Sequence, residues 1–389
     1  MMAQHQSRKV IAVATSVAVL MGAGFATSRF ATQQDTPTSD QLWVKAILHS
    51  LPLGAIDTSR APVFYRRAIA QSDNPGPLCV ALGDYLRGPV PASLAFRTAL
   101  ETADVEGLSG EYDKAFEEAL SLIEGGDEAL AAYLTAIRLS PDNPVSHFRV
   151  AVYGQGAIGL QSACWLSQND PDNALGPYLE AMYALKSNPR TLLELVRKAN
   201  ARPTLRIYDD PLPAHVQGTY PSAYEEIGVA HQSVTAAALR HIMDVQNSMV
   251  DLANPLRDGI DLVLGRLYEI ANDVTHPDSH AAIAAHQASC HQLIFNQSGS
   301  FLLTVRGYLR SKRSFELVQS RFQSGSPAYV AAFAQHEDIE RFRKLMHERW
   351  DPQYELPAID AESIFSGMAD PVLNKVNLLK EIQSESRTP

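Results

Sequence analysis

Cysteine is scarce in this chain of 389 residues: Cys79, Cys164 and Cys290 are the only three. None forms a CxxC or CxxCH spacing, which disfavours zinc ribbons, thioredoxin-type redox centres and c-type haem attachment. Three thiols allow at most one internal disulfide, and spacing does not say which pair would form it. Positive charge is also in short supply. Lys and Arg number 33 against 43 Asp and Glu, a formal net charge of −10. Broad phosphate-backbone binding needs clustered cations, so no nucleic-acid partner is expected. The one basic cluster, "RGYLRSKR" from Arg306 to Arg313, reads as a solvated helix face. Walker A, GxGxxG after a strand, GxSxG and HExxH are all missing. The adjacent carboxylates Glu117-Glu118 and Glu225-Glu226 diverge on a helix, whereas acid–base catalysis needs converging groups. No catalytic residue and no cofactor is predicted, and the chain is expected not to be an enzyme. What is present is an ordinary globular balance, 46% hydrophobic and 20% charged, enough to bury a core.

The N-terminus carries the most specific signal. Arg8 and Lys9 precede an uninterrupted apolar and small run, "VIAVATSVAVLMGAGFA", Val10 to Ala26. Gly24 and Ala26 then place small residues at the −3 and −1 positions of a cleavage site, the pattern of a secretory signal peptide. The alternative is an uncleaved anchor, although the run falls short of the roughly 20 residues that span a membrane. Positive charge before the run puts the rest of the chain outside under either reading. No cysteine follows it, so a lipoprotein-type anchor is not supported. Residues 1–40 are thus expected to be a targeting segment plus linker, and the protein to be exported, periplasmic or anchored facing the periplasm, in a bacterium. Membrane contact is expected only through residues 10–26, and only if they are retained.

Beyond residue 40 apolar residues recur at helical spacing, and sustained strand-type alternation is hard to find, so the fold class is all-α. Gly and Pro dipeptides punctuate segments of helical length. Tyr112, Phe116, Ala119, Leu120 and Ile123 form one stripe, and Gly125-Gly126 breaks it. Ala129, Tyr133, Ala136 and Ile137 form a second stripe over Glu128 to Leu139, which Pro141 ends. Asn143 can cap the next helix, with Pro144 at its first position. Two strings, "SPDNP" and "DPDNA", then frame a recurring cycle, with helices predicted over Ala174–Leu185 and Arg190–Asn200. The closing prolines Pro141, Pro171 and Pro203 fall 30 and 32 residues apart, a period suited to stacked helical hairpins.

The stretch "EALAAYLTAIRLSP" resembles the tetratricopeptide repeat. Ala129, Tyr133, Ala136 and Pro141 match the small, aromatic, small and proline positions of that family's second helix and its stop. Asp113 and Glu117 stand where the family has Trp and Gly, and Gly159, Ala163 and Leu166 occupy the equivalent places in the next unit. The resemblance covers about residues 111–203. It implies stacked hairpins, a protein or peptide partner, and an exposed concave groove. Tyr133, Tyr153, Tyr178 and Tyr183 are the candidate partner-binding residues, with core packing as the alternative role for each.

A hairpin domain over 41–207 is followed by a proline-rich linker, Tyr208 to Pro221, and a helical bundle over 222–350. There Ile227 to Leu252 step by three or four, and Leu256, Ile260, Val263, Leu267, Ile270 and Val274 make a heptad-like seam suited to antiparallel packing. Later helices are expected over 278–295, 301–321 and 328–350, the last with Val330, Phe333, Phe342, Leu345 and Met346 on its apolar face. Residues 351–389 read as a turn-rich tail with a frayed end. Seven of the 12 histidines lie between His215 and His291. Within "HPDSHAAIAAHQASCHQ", His280, His286, Cys290 and His291 are weak metal candidates and the alternative basis of a metal-binding bundle. They spread over two helix faces, so solvated or hydrogen-bonded histidine is the simpler expectation.

Overall fold

The computed structural model describes residues 38–50, 61–87, 111–123, 126–208, 255–296, 301–349, 378 and 381–387. Among them all regular structure is α-helical, and the one isolated bridge joins Asn173 and Thr204. The helices are α1 Ser39–Ser50, α2 Ala61–Gln71, α3 Gly76–Leu86, α4 Glu111–Ser121, α5 Glu128–Leu139, α6 Pro144–Tyr153, α7 Gly156–Asn169, α8 Leu175–Tyr183, α9 Pro189–Asn200, α10 Pro255–Asn272, α11 Ser279–Phe295, α12 Phe301–Arg321 and α13 Pro327–Arg349. The N-terminal targeting stretch, the helix expected over 227–252 and most of the tail lie outside the described residues.

Local chemistry accounts for several boundaries. Asp127 accepts the Leu130 amide at 3.0 Å and starts α5. Gly126, at φ +68°, supplies the left-handed residue just before it. The two Pro-Asp-Asn strings do the same job twice: Asn143 accepts the Val145 amide at 2.9 Å, and Asn173 accepts the Leu175 amide at 3.1 Å. Asn188 repeats the cap at α9, accepting the Arg190 amide at 2.9 Å ahead of Pro189. Each cap satisfies an amide that the first helical turn leaves unpaired.

Each helix from α5 to α8 packs on its successor, and α3 lies against α5. One continuous apolar cluster runs from Leu42 of α1 to Ala332 of α13, and Tyr133, Phe148, Leu175 and Tyr178 are among its completely buried members. The two halves of the sequence share this core. Helix α8 packs on α10, and α9 on α11. Buried hydrogen bonds cross the same seam. Gln292 of α11 donates to the carbonyls of Ala199 (3.1 Å) and Arg202 (3.0 Å), and its Oε1 lies 2.9 Å from the Tyr178 hydroxyl. That hydroxyl also donates to Asn200, 2.7 Å away, whose amide in turn donates to the Ala285 carbonyl at 3.0 Å.

The seam of α10 buries Leu256, Ile260, Val263, Leu267 and Ile270, as its spacing predicts. Val274 is exposed instead, because α10 ends at Asn272 and Asp273 turns the chain by accepting the Thr275 amide at 2.9 Å. The apolar face expected for α13 also needs correction. Phe342 is buried, but Val330 and Phe333 point outward, and Ala332 and Ile339 take the inner positions. The part of the tail expected to fray is helical where it is described. Residues 381–386 are helical, and Ile382 joins Ile294, Phe295, Ile339 and Phe342 in a second, smaller cluster. Gln383 donates to the Ile294 carbonyl at 2.7 Å, and Arg349 grips Glu385 at 2.6 Å.

Candidate functional site

Tyr133 and Tyr178 are completely buried, so neither lines a groove. The helical stripe that places Tyr133 points it into the α3–α5 contact, where its ring packs on Gly83. Its hydroxyl donates to Asp84 Oδ1 at 2.8 Å, and Arg149 of α6 holds the same carboxylate through Nε (2.9 Å) and Nη2 (3.1 Å). The forked guanidinium matches the carboxylate, which is why a charge can sit this deep. Burial, followed by the Asp84 charge, holds the Tyr133 hydroxyl well above its ordinary pKa. Tyr153 is half-buried, stacked on Tyr133 with centroids 5.8 Å apart, and the Arg87 guanidinium lies 4.4 Å from its ring centroid. Arg87 also pairs with Asp127 at 2.5 Å. Tyr183 is half-buried, and its hydroxyl is shared between the carbonyls of Ala151 (2.7 Å) and Gly154 (2.9 Å). Burial pushes that phenol up to about 12. Tyr133 and Tyr178 therefore belong to the core, Tyr178 at the seam with α9 and α11, while Tyr153 and Tyr183 keep part of their surface exposed. Asp84 and Arg149, the charged heart of the network, stand 65 positions apart, a separation that carries no local sequence signal.

The four weak metal candidates do not converge. His280 is exposed, edge-on to Phe322 at 5.4 Å between centroids. His291 is half-buried, with Nε2 3.2 Å from Asp338 of α13. His286 and Cys290 do meet, one turn apart on α11, with Sγ 3.8 Å from Nδ1. Among the described residues no group of three or more His, Cys, Asp or Glu side chains is placed to hold a metal ion.

His286 is the most unusual titratable group of the bundle. It is 1% exposed, and its Nε2 has no hydrogen-bond partner. Burial, reinforced by the Arg310 charge, lowers its pKa to about 4. Burial also pushes the Cys290 thiol up to about 12, so both groups are neutral at pH 7. Gln287 and Ser314 add buried polar atoms without partners. The basic stretch is partly neutralised by α10, since Arg306 and Arg310 each approach Asp261 at 3.3 Å.

Helix α13 carries two of the large hydrophobic side chains exposed among the described residues. Of its side chains only Ala332, Ile339 and Phe342 are buried. Val330 is 57% and Phe333 39% exposed, with Ala328, Ala331 and Ala334 exposed beside them. Neither residue was separable from the buried ones by spacing alone. No helix among the described residues is long and apolar enough to cross a membrane. Comparison with protein-family models, curated proteins and solved structures finds no match to this chain.

Proposed function

We propose that this chain is an exported bacterial envelope protein that works as a helical scaffold, binding a protein or peptide partner and catalysing no reaction. Export rests on the first 40 residues, where Arg8 and Lys9 precede the apolar run Val10–Ala26. A tetratricopeptide-like organisation over residues 111–203 rests on "EALAAYLTAIRLSP" and on the repeated Pro-Asp-Asn caps, which support it by recurring at equivalent helix starts. The observation that carries partner binding is the exposed apolar face of α13. Val330 keeps 57% and Phe333 39% of its surface in water, Phe333 resting against Tyr329 and Phe315, and an incoming apolar surface would bury what remains of both. Hot spots of this kind centre on aromatic side chains.

The test is native purification of the full-length protein from gently solubilised envelopes, with co-purifying chains identified by mass spectrometry. A near-stoichiometric partner that is lost in the Val330→Asp/Phe333→Asp variant, with helicity and melting unchanged, supports the reading. Wild-type protein that purifies without a partner overturns it.

A further inference from the structure

His286 sits buried in the α10–α12 bundle with its Nε2 unpartnered. Every element packed on α11 bears on this site. Helix α10 brings Asp261 and the Tyr268 ring, whose centroid lies 5.9 Å from that of His286. Helix α12 brings Arg310, and the Asp261 carboxylate that faces it is already shared with Arg306. Helix α13 brings His336, stacked on Phe315 of α12 with centroids 3.7 Å apart and with Nδ1 buried and unpartnered. It also brings Asp338, which is taken by His291 and Arg341. Helix α9 meets α11 through the neutral Asn200. On α11 itself the neighbours are the Cys290 thiol and Gln287.

The register across α11 and α12 follows from two contacts. A Cβ at Gly307 would meet Cys290 and Leu293, and His280 meets Phe322. Antiparallel pairing on that register sets Ser314 opposite His286 and Arg310 opposite Cys290. A proton on His286 therefore creates a second cation beside Arg310, whose own carboxylate partner, Asp261, is already shared with Arg306. A buried charge without a counter-charge is strongly disfavoured. Opening that layer to water relieves it, and the helix pair that must part is α11 with α12.

We propose that protonation of His286 loosens α12 from α11 in mildly acidic conditions and exposes the apolar surface between them, while the α5–α8 core stays closed. The device is independent of the partner-binding reading above. It places the trigger in a side chain that touches no surface at neutral pH.

Hydrogen exchange followed by mass spectrometry on the full chain tests this at pH 7.5 and pH 5, after correction for the intrinsic pH dependence of exchange. The expected result is at least tenfold faster exchange in α11 and α12 at pH 5, with α5–α8 unchanged, and loss of that difference in His286→Gln. Equal protection of α11 and α12 at both pH values overturns the proposal, as does an increment that His286→Gln leaves intact. If His286→Gln fails to fold, the imidazole resonance of His286 in the wild-type chain decides. A resonance that titrates in the folded state near the ordinary histidine value overturns the proposal, and one that stays neutral until the bundle opens upholds it.

Discussion

Tyr133→Ala is predicted to be among the most costly single substitutions in the chain. The ring is completely buried against Gly83, and its hydroxyl helps to hold Asp84. Truncating a buried aromatic side chain costs about 3–5 kcal/mol, since a cavity remains where the ring was. Tyr133→Phe isolates the polar part. It removes one hydrogen bond, at 2.8 Å, to a carboxylate that Arg149 still grips, so the expected loss is about 1–2 kcal/mol. Urea unfolding followed by circular dichroism at the helical band measures both, with slopes unchanged from wild type. A surface tyrosine would cost within about 0.5 kcal/mol. A Tyr133→Ala variant of wild-type stability that had lost a partner would refute the core assignment and restore the groove.

Three further outcomes follow from the same geometry. Asp84→Ala leaves the Arg149 guanidinium buried without its carboxylate and is expected to cost about 3–5 kcal/mol, more than Tyr133→Phe; a double-mutant cycle with Arg149→Met should recover much of the loss. Gln292→Leu breaks the bonds to the Ala199 and Arg202 carbonyls and is expected to lower the urea midpoint of the whole chain in a single transition, because the α8–α9 and α10–α11 segments share one core. For His286 the folded pKa lies below the unfolded value, so the unfolded chain binds the extra proton; stability is full above about pH 6.5 and falls as pH drops toward 4, by about 3 kcal/mol in all. Thermal melts of wild type and His286→Gln across pH 4.5–7.5 check this, and the variant should show the shallower dependence.

Much of the helix layout was legible because its signals are local. Asn143 with Pro144 announces a helix start within two residues and forms the predicted cap, and the turn signal Asn188-Pro189 proves to be a cap of the same kind. The bounds of α5, Glu128–Leu139, follow from its stripe and its proline stop. Side-chain roles were less legible, since they depend on partners far along the chain. Tyr133 looks the same in sequence whether it lines a groove or fills a core; Asp84, 49 positions earlier, decides the matter. Val330 and Phe333 share the helical spacing of Ile339 and Phe342, but only the second pair meets the cluster that Ile294 and Ile382 complete. Periodicity marks an apolar stripe without saying which part of it finds a neighbour. The histidine-rich stretch shows the converse. Its spacing separates the candidates onto different faces, and in the fold only His286 and Cys290 come together.

Whether the apolar face of α13 recruits a partner is decided by a single comparison. Wild-type protein and the Val330→Asp/Phe333→Asp variant are purified side by side from envelopes, and the co-purifying chains are quantified. A near-stoichiometric partner is expected on the wild type, with at least a tenfold loss of it on an equally folded variant. Equal recovery of the partner by both would contradict it.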